Sequence, residues 1–189
     1  MKRKHKRYLS RSRKSETGLT IMETVIALVM LLIVAGGVMG LAAVAVSTTE
    51  TQGHLAARTA EYSQDKMEQL LALHFCDGQT DTTQFPAVNT GGTGLAGCTN
   101  LAAPVPTATA GGGLSTTAPT ASYVDYLDAS GNLVASTGQW EYIRVWQISV
   151  PAGSVGLKQI TVLTKANRSI GGNAVVPQST VVALKTYPF

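Results

Sequence analysis

Residues 24–46 read TVIALVMLLIVAGGVMGLAAVAV, 23 residues without a charge. About 20 such residues cross the hydrocarbon core of a bilayer as a helix. Leu19, Thr20, Ile21 and Met22 extend the run towards the N-terminus, and a single acid, Glu23, interrupts it. Before it, residues 1–18 read MKRKHKRYLSRSRKSETG and hold eight of the chain's 15 Lys and Arg (Lys2, Arg3, Lys4, Lys6, Arg7, Arg11, Arg13, Lys14), with Glu16 their only acid. The formal net charge of +4 over 189 residues therefore divides into +7 for this segment (8 − 1) and −3 for the remainder (7 basic, 10 acidic). A block of like charge stays solvated outside any core. Under the positive-inside rule it remains in the cytoplasm, and the C-terminal part crosses the membrane. Its basic character reports targeting, and a mildly acidic body gives little electrostatic attraction for nucleic acid.

Three readings of the apolar run compete. A cleaved signal peptide would use Ala43-Val44-Ala45 as its small-residue site, but its apolar region would be about twice the usual length. The second reading is a permanent signal anchor. The third turns on Glu23. A carboxylate deep in a membrane helix costs about 2.5–3.5 kcal/mol on insertion scales and usually has a partner or a task; near a helix end the cost is lower and an interfacial Glu is tolerated. Physics alone leaves those two accounts of Glu23 level.

The order of features separates them. A basic leader ends in Gly18; Leu19, Thr20, Ile21 and Met22 follow, then Glu23 at the fifth place after the glycine, then the long apolar helix. GLTIMETVIALVMLLIVAGG resembles the N-terminal signature of type IV prepilins and type II secretion pseudopilins. The resemblance implies that a prepilin peptidase cuts between Gly18 and Leu19 and N-methylates Leu19. It also implies that the Glu23 carboxylate meets the α-amino group of a neighbouring subunit during filament assembly. A buried carboxylate is tolerable when a cation neutralises it, and only cleavage creates that amine. Many pilins carry a Pro near the twenty-second residue after the cut. Here Gly40 stands there, with Gly36 and Gly37 just before it. Gly costs a helix roughly 1 kcal/mol relative to Ala and Pro about 3. Close packing through small residues is favoured over local melting.

Residues 47–74, STTETQGHLAARTAEYSQDKMEQLLALH, continue as an amphipathic helix. Ala56, Thr59, Ser63, Met67, Leu70, Leu71 and His74 share one face at three- and four-residue steps, and Glu61, Asp65, Glu68, Arg58 and Lys66 lie towards the other. No Pro falls between Leu19 and Phe85, so one helix is expected from about Thr20 to His74. EYSQDKMEQLLAL is similar to the corresponding helix of minor pilins of the pilus-modification (PilV-like) group and of some pseudopilins.

The organisation expected is a basic leader (1–18), a long helix (19–75, of which 19–46 is the membrane or filament-core part), a Gly/Thr/Pro-rich loop (76–120) and an antiparallel β-sheet head (121–189). This is an α+β, pilin-like fold with the helix packed on the sheet. Cys76 and Cys98 lie beyond the membrane, in an oxidising compartment, and are expected to form a disulfide. Two Cys are too few for a disulfide-dense scaffold or a Cys-only zinc site. Gly92-Thr93-Gly94-Leu95-Ala96-Gly97 fits G-x-G-x-x-G but lacks the preceding strand and following helix that a pyrophosphate site needs.

Five stretches read as strand-like, Tyr123–Leu127 and a short Asn132–Ala135 around the turn Asp128-Ala129-Ser130-Gly131, then Trp140–Val150, Leu157–Thr164 and Ala174–Lys185, and three or four meandering strands are expected to lay one face on the long helix. Pro177 makes the start of the last an edge or non-strand stretch. In the best strand Trp140, Tyr142, Trp146, Ile148 and Val150 share a face that Arg144 breaks. The head contains no His, so no Ser-His-Asp or Cys-His set can be built there. His54 and His74, twenty residues apart, read as ordinary helix residues. No enzyme, cofactor or metal site is expected.

The expected role is a minor pilin of a type IV pilus-like filament. It would sit as a single-pass inner-membrane protein with its N-terminus cytoplasmic and its head periplasmic or extracellular. Its expected partners are prepilin peptidase, other pilin or pseudopilin subunits, the inner-membrane assembly platform and membrane lipid. The alternatives are a type II secretion pseudopilin and, in a different class, a pilus-tip adhesin or DNA-uptake subunit. Only Arg144, Lys158, Lys165, Arg168 and Lys185 offer such a head a basic patch.

Overall fold

The computed structural model describes residues 20–89, 94–95, 97–98, 111–154, 156–168 and 176–187. The chain divides into two compact units, Met1–Ala45 and Val46–Phe189. One helix, α1 (Ile21–Ala72, 52 residues), supplies the described part of the first and the opening of the second. Its length follows from an uninterrupted run without Pro, and it is continuous through Gly36, Gly37 and Gly40. The leader, Gly18 and Leu19 lie outside the described residues.

The second unit is an α+β head. Six antiparallel strands form one sheet: β1 (Gly111–Gly112), β2 (Val124–Leu127), β3 (Leu133–Val134), β4 (Tyr142–Ser149), β5 (Leu157–Ala166) and β6 (Gln178–Thr186). The spatial order is β3-β2-β4-β5-β6, with β1 beside β4. Thus β4 does not pair with the strand before it; it returns past β3 to pair with β2, so the sheet is not a simple meander and exceeds the three or four strands expected. Asp128 makes the β2–β3 turn as its composition suggests: its Oδ1 accepts the N–H groups of Ser130 and Asn132 at 2.8 and 2.9 Å. Gly111 and Gly112 have no side chains to show a pattern, yet they form β1. A Cβ on either would collide with the Tyr123 ring, and at Gly112 (φ 77°) also with the Trp146 carbonyl.

The register puts alternate residues on one face. Asp125 pairs with Arg144, Arg144 with Thr164 and Thr164 with Ser179. That face carries Tyr123, Asp125 and Leu127 from β2 and its entry, Tyr142, Arg144, Trp146 and Ile148 from β4, and Lys158, Ile160, Val162, Thr164 and Ala166 from β5; all are buried. Against it lie Thr59, Tyr62, Ser63, Lys66, Met67 and Leu70 of α1. Fully burying a side chain such as Ile160 contributes about 1.5–3 kcal/mol, so this layer is where the head's stability resides.

Thr59, Ser63, Met67 and Leu70 fall on the expected helix face, but Ala56, Leu71 and His74 are exposed. Lys66 is the chief correction: expected on the solvated side, it is fully buried. Its position between Ser63 and Leu70 keeps helical step with the core face, and a carboxylate on the sheet neutralises it there. Tyr142 and Trp146 are buried core aromatics.

Cys76 and Cys98 form the disulfide, 22 residues apart. Closing a loop of that size contributes roughly 3 kcal/mol in the chain-entropy model. It holds Leu95, fully buried in the larger apolar cluster, to the end of α1.

Candidate functional site

The helix start is built from Thr20. The Glu23 N–H donates to the Thr20 carbonyl at 3.0 Å and to Thr20 Oγ1 at 3.3 Å, so Thr20 caps α1 and Glu23 sits in its first turn. Both an acid in the first turn and a Thr-x-x-Glu spacing favour helix initiation at this place. Glu23 is exposed. So are Ile21, Met22, Leu28, Leu31, Leu32 and Ile33 that surround or follow it. The helix is long and apolar enough to cross a membrane, and among the described residues none of the window that meets that test is buried. A helix apolar all round finds its partners in lipid or in other helices. A Cβ at Gly36, Gly37 or Gly40 would meet nothing within 4 Å among the described residues.

In the head, a polar band crosses the interface between α1 and the sheet. Asp125 Oδ2 accepts Lys66 Nζ at 3.0 Å and Arg144 Nη2 at 2.7 Å and Nε at 3.1 Å. Arg144 Nη1 also donates to the Tyr62 carbonyl at 2.9 Å and meets Asp65 at 3.0 Å. Lys66 donates to the Thr82 carbonyl at 2.5 Å and lies 4.0 Å above the Trp146 ring. Ser63 Oγ and Thr164 Oγ1 are 2.8 Å apart beside it. The band separates an apolar cluster around Met67, Leu70 and Trp146 from a smaller one around Tyr62, Leu127 and Tyr142. Two cations and two carboxylates balance, and each cation has carbonyl or ring partners as well, while Asp125 Oδ1 is buried with no hydrogen-bond partner among the described residues.

A third buried cation closes the disulfide loop. Lys158 is 1% exposed and donates to the carbonyls of Phe75, Leu95 and Gly97 at 2.7–2.8 Å. Lys185 donates to the Leu71 carbonyl in the last turn of α1, where a cation suits the helix end. Arg144, Lys158 and Lys185 are thus engaged within the head, leaving Lys165 and Arg168 of the basic positions noted above; Arg168 itself pairs with Glu141.

Burial pushes the Lys66 and Lys158 ammonium groups down to about 8. An unfolded lysine titrates near 10.4. Between these values the unfolded chain holds more protons, so stability rises with pH through that window. The urea midpoint of the head is therefore expected to climb between pH 7.5 and 9.5, and the Lys66→Met variant to show a shallower climb. A midpoint that is flat or falls over that range would contradict this assignment. Tyr62 and Tyr142, whose hydroxyls burial pushes up, act in the opposite direction only above about pH 10.

Beside the band is a cleft of about 600 Å³ bordered by Asp65, Gln69, Phe85, Asn132 and Leu133. Arg144 reaches it, but its donors are already committed to Asp125, Asp65 and the Tyr62 carbonyl. Among the described residues, no group of three or more His, Cys, Asp or Glu is placed to hold a metal. No protein-family model, curated protein or solved structure matches this chain.

Proposed function

We propose that the chain is a minor pilin, a structural subunit of a type IV pilus-like filament. The observation that carries this reading is the first half of α1: wholly unburied by its own chain, apolar on every side, with one acid in its first turn. Such a surface fits a bilayer before assembly and a bundle of like helices afterwards. The leader holds the precursor with its N-terminus in the cytoplasm. Prepilin peptidase cuts after Gly18 and methylates Leu19. Glu23 then pairs with the new α-amino group of a neighbouring subunit, and Gly36, Gly37 and Gly40 let helices approach closely. The assembly platform in the inner membrane and other pilin subunits are its partners. A type II secretion pseudopilin shares every one of these features and is the alternative.

Burial of Arg144 and Lys158 weighs against a DNA-binding tip subunit, because these cations cannot meet phosphate without unfolding the band. The deciding experiment is mass spectrometry of the N-terminal peptide from the native membrane. A terminus at N-methyl-Leu19 is expected; an intact Met1 or a cut after Ala45 would reject the proposal.

A further inference from the structure

Three amide side chains border the cleft of about 600 Å³ beside the polar band, and an aspartate holds each one. Gln69 Nε2 donates to Asp65 Oδ2, Gln84 Nε2 to Asp81 Oδ2 and Asn132 Nδ2 to Asp128 Oδ2, each at 3.0 Å. A carboxylate only accepts, so each amide must turn its NH₂ group to its aspartate, and that fixes the amide plane. The aspartates are themselves held. Asp81 Oδ1 accepts the Thr83 N–H and hydroxyl at 2.8 and 2.6 Å, Asp128 Oδ1 accepts two backbone N–H groups, and Asp65 meets Arg144. The carbonyl oxygen and second N–H of each amide are left for a ligand. Among the described residues none of the three oxygens accepts a hydrogen bond. The apolar part of the rim is Phe85, 85% exposed and the most exposed large apolar side chain of the head among the described residues. All these residues belong to one compact unit, Val46–Phe189.

Charge narrows the ligand first. Asp65 and Arg144 are the charged residues bordering the cleft, and they pair with each other, so its lining is formally neutral. With Arg144 committed to carboxylates and a carbonyl, a phosphate or carboxylate ligand finds no cation to meet. Hydrogen-bond geometry narrows it further. An amide sets one donor and one acceptor side by side in a plane. Adjacent hydroxyls of a sugar ring match that pair, because each hydroxyl both donates and accepts. A sugar ring also has an apolar C–H face, and the negative face of an aromatic ring attracts such polarised C–H groups. The volume of the cleft falls within the range of small-molecule sites, about 300–1,000 Å³.

We infer that this cleft binds a neutral saccharide, whose hydroxyls meet the amides of Gln69, Gln84 and Asn132 and whose C–H face rests on Phe85. An extended peptide is the rival, since amides also bond peptide groups. Two observations weigh against it. The strand at the cleft is β3, and its two residues are too few to template an added strand. The rim offers one exposed ring, where a peptide's alternate side chains need a row of pockets. The inference does not depend on the filament reading: the cleft is the same whether or not the chain assembles.

The test uses the purified full chain in lauryldimethylamine oxide, a detergent without a sugar headgroup. The chain is applied to an array of neutral, sialylated and sulfated glycans and to an array of unstructured peptides. Binding to a subset of the neutral glycans is expected. Phe85→Ala and Gln84→Ala should each weaken the best of them by about tenfold or more. Both side chains are exposed, so their melting curves should match the wild type. Val182→Ala, exposed and outside the cleft, should leave binding unchanged. Should a variant fail to fold, the wild-type chain still decides, because the bound glycan should shift the side-chain amide NMR signals of Gln69, Gln84 and Asn132. Binding to no neutral glycan, a preference for charged glycans, or binding to peptides alone would overturn the inference. So would glycan binding that survives both cleft variants, or that leaves those amide signals in place.

Discussion

Replacing Asp125 with alanine is expected to destabilise the head by about 3–5 kcal/mol, the cost of breaking a buried ion pair from one side. The carboxylate is buried and is the anion that Lys66 and the Arg144 fork share through Oδ2. Its removal leaves two buried cations facing each other, with only Asp65, 57% exposed, still beside Arg144. Because unpaired charge and not lost volume dominates, Asp125→Asn should cost nearly as much as Asp125→Ala. Adding Lys66→Met to Asp125→Ala should recover part of the loss, since it removes one uncompensated cation and leaves an apolar chain against Trp146. In the wild-type background the same Lys66→Met change brings no such recovery. The coupling between the two sites, read from urea unfolding of the four proteins, separates a charge effect from a packing effect. Additive losses, or a cost below about 1 kcal/mol for Asp125→Ala, would mean the band is solvated and the burial argument wrong.

The same band marks where sequence reading stopped. The long helix was legible because a charge-free run without Pro leaves few alternatives, and the head because alternating β-branched and aromatic residues mark strands. Arg144 already stood out as the break in the Trp140–Val150 face. A cation on an inward face implies an anion on a neighbouring strand or helix, but choosing Asp125 over ten other acids requires the register, which is a property of the folded chain. Lys66 lay in the stretch Asp65–Glu68 where charge suggests a solvated side, although 59, 63, 66 and 70 keep helical step. Its charge points to solvent and its periodicity to the core, and the fold follows periodicity because the Asp125 carboxylate is at hand. The strand β1 was hidden for a different reason: two glycines have no side-chain pattern, and their place is set by the Tyr123 ring lying over them.

Substituting Glu23 with leucine is expected to leave membrane insertion unimpaired, since it removes a group costing about 2.5–3.5 kcal/mol at mid-helix and less near an end. It should also leave the cut after Gly18 in place. Under the proposed function, the loss is expected in incorporation into the filament. Two accounts of Glu23 predict losses of different size. As a first-turn acid favouring helix initiation, it contributes about 0.3–1 kcal/mol, and its loss should lower incorporation less than about fivefold. As the partner of a neighbour's α-amino group inside an apolar bundle, its removal strands a buried cation, worth about 3–5 kcal/mol, and incorporation should fall by about 100-fold or more. The measurement is the ratio of variant to wild-type chain in sheared filaments, divided by the same ratio in the membrane, from cells making both. Glu23→Gln keeps shape and hydrogen bonding without charge and should behave as Glu23→Leu if pairing is the role. Glu23→Asp keeps the charge and should recover much of the loss. The exposed apolar surface that surrounds Glu23 in the single chain is what makes the larger figure the expected one. In the proposed bundle that surface would close over the carboxylate, and an unpaired amine there would have no water to turn to. A loss under fivefold for both Glu23→Leu and Glu23→Gln would leave Glu23 as a helix-start residue and remove the ion pair from the assembly mechanism.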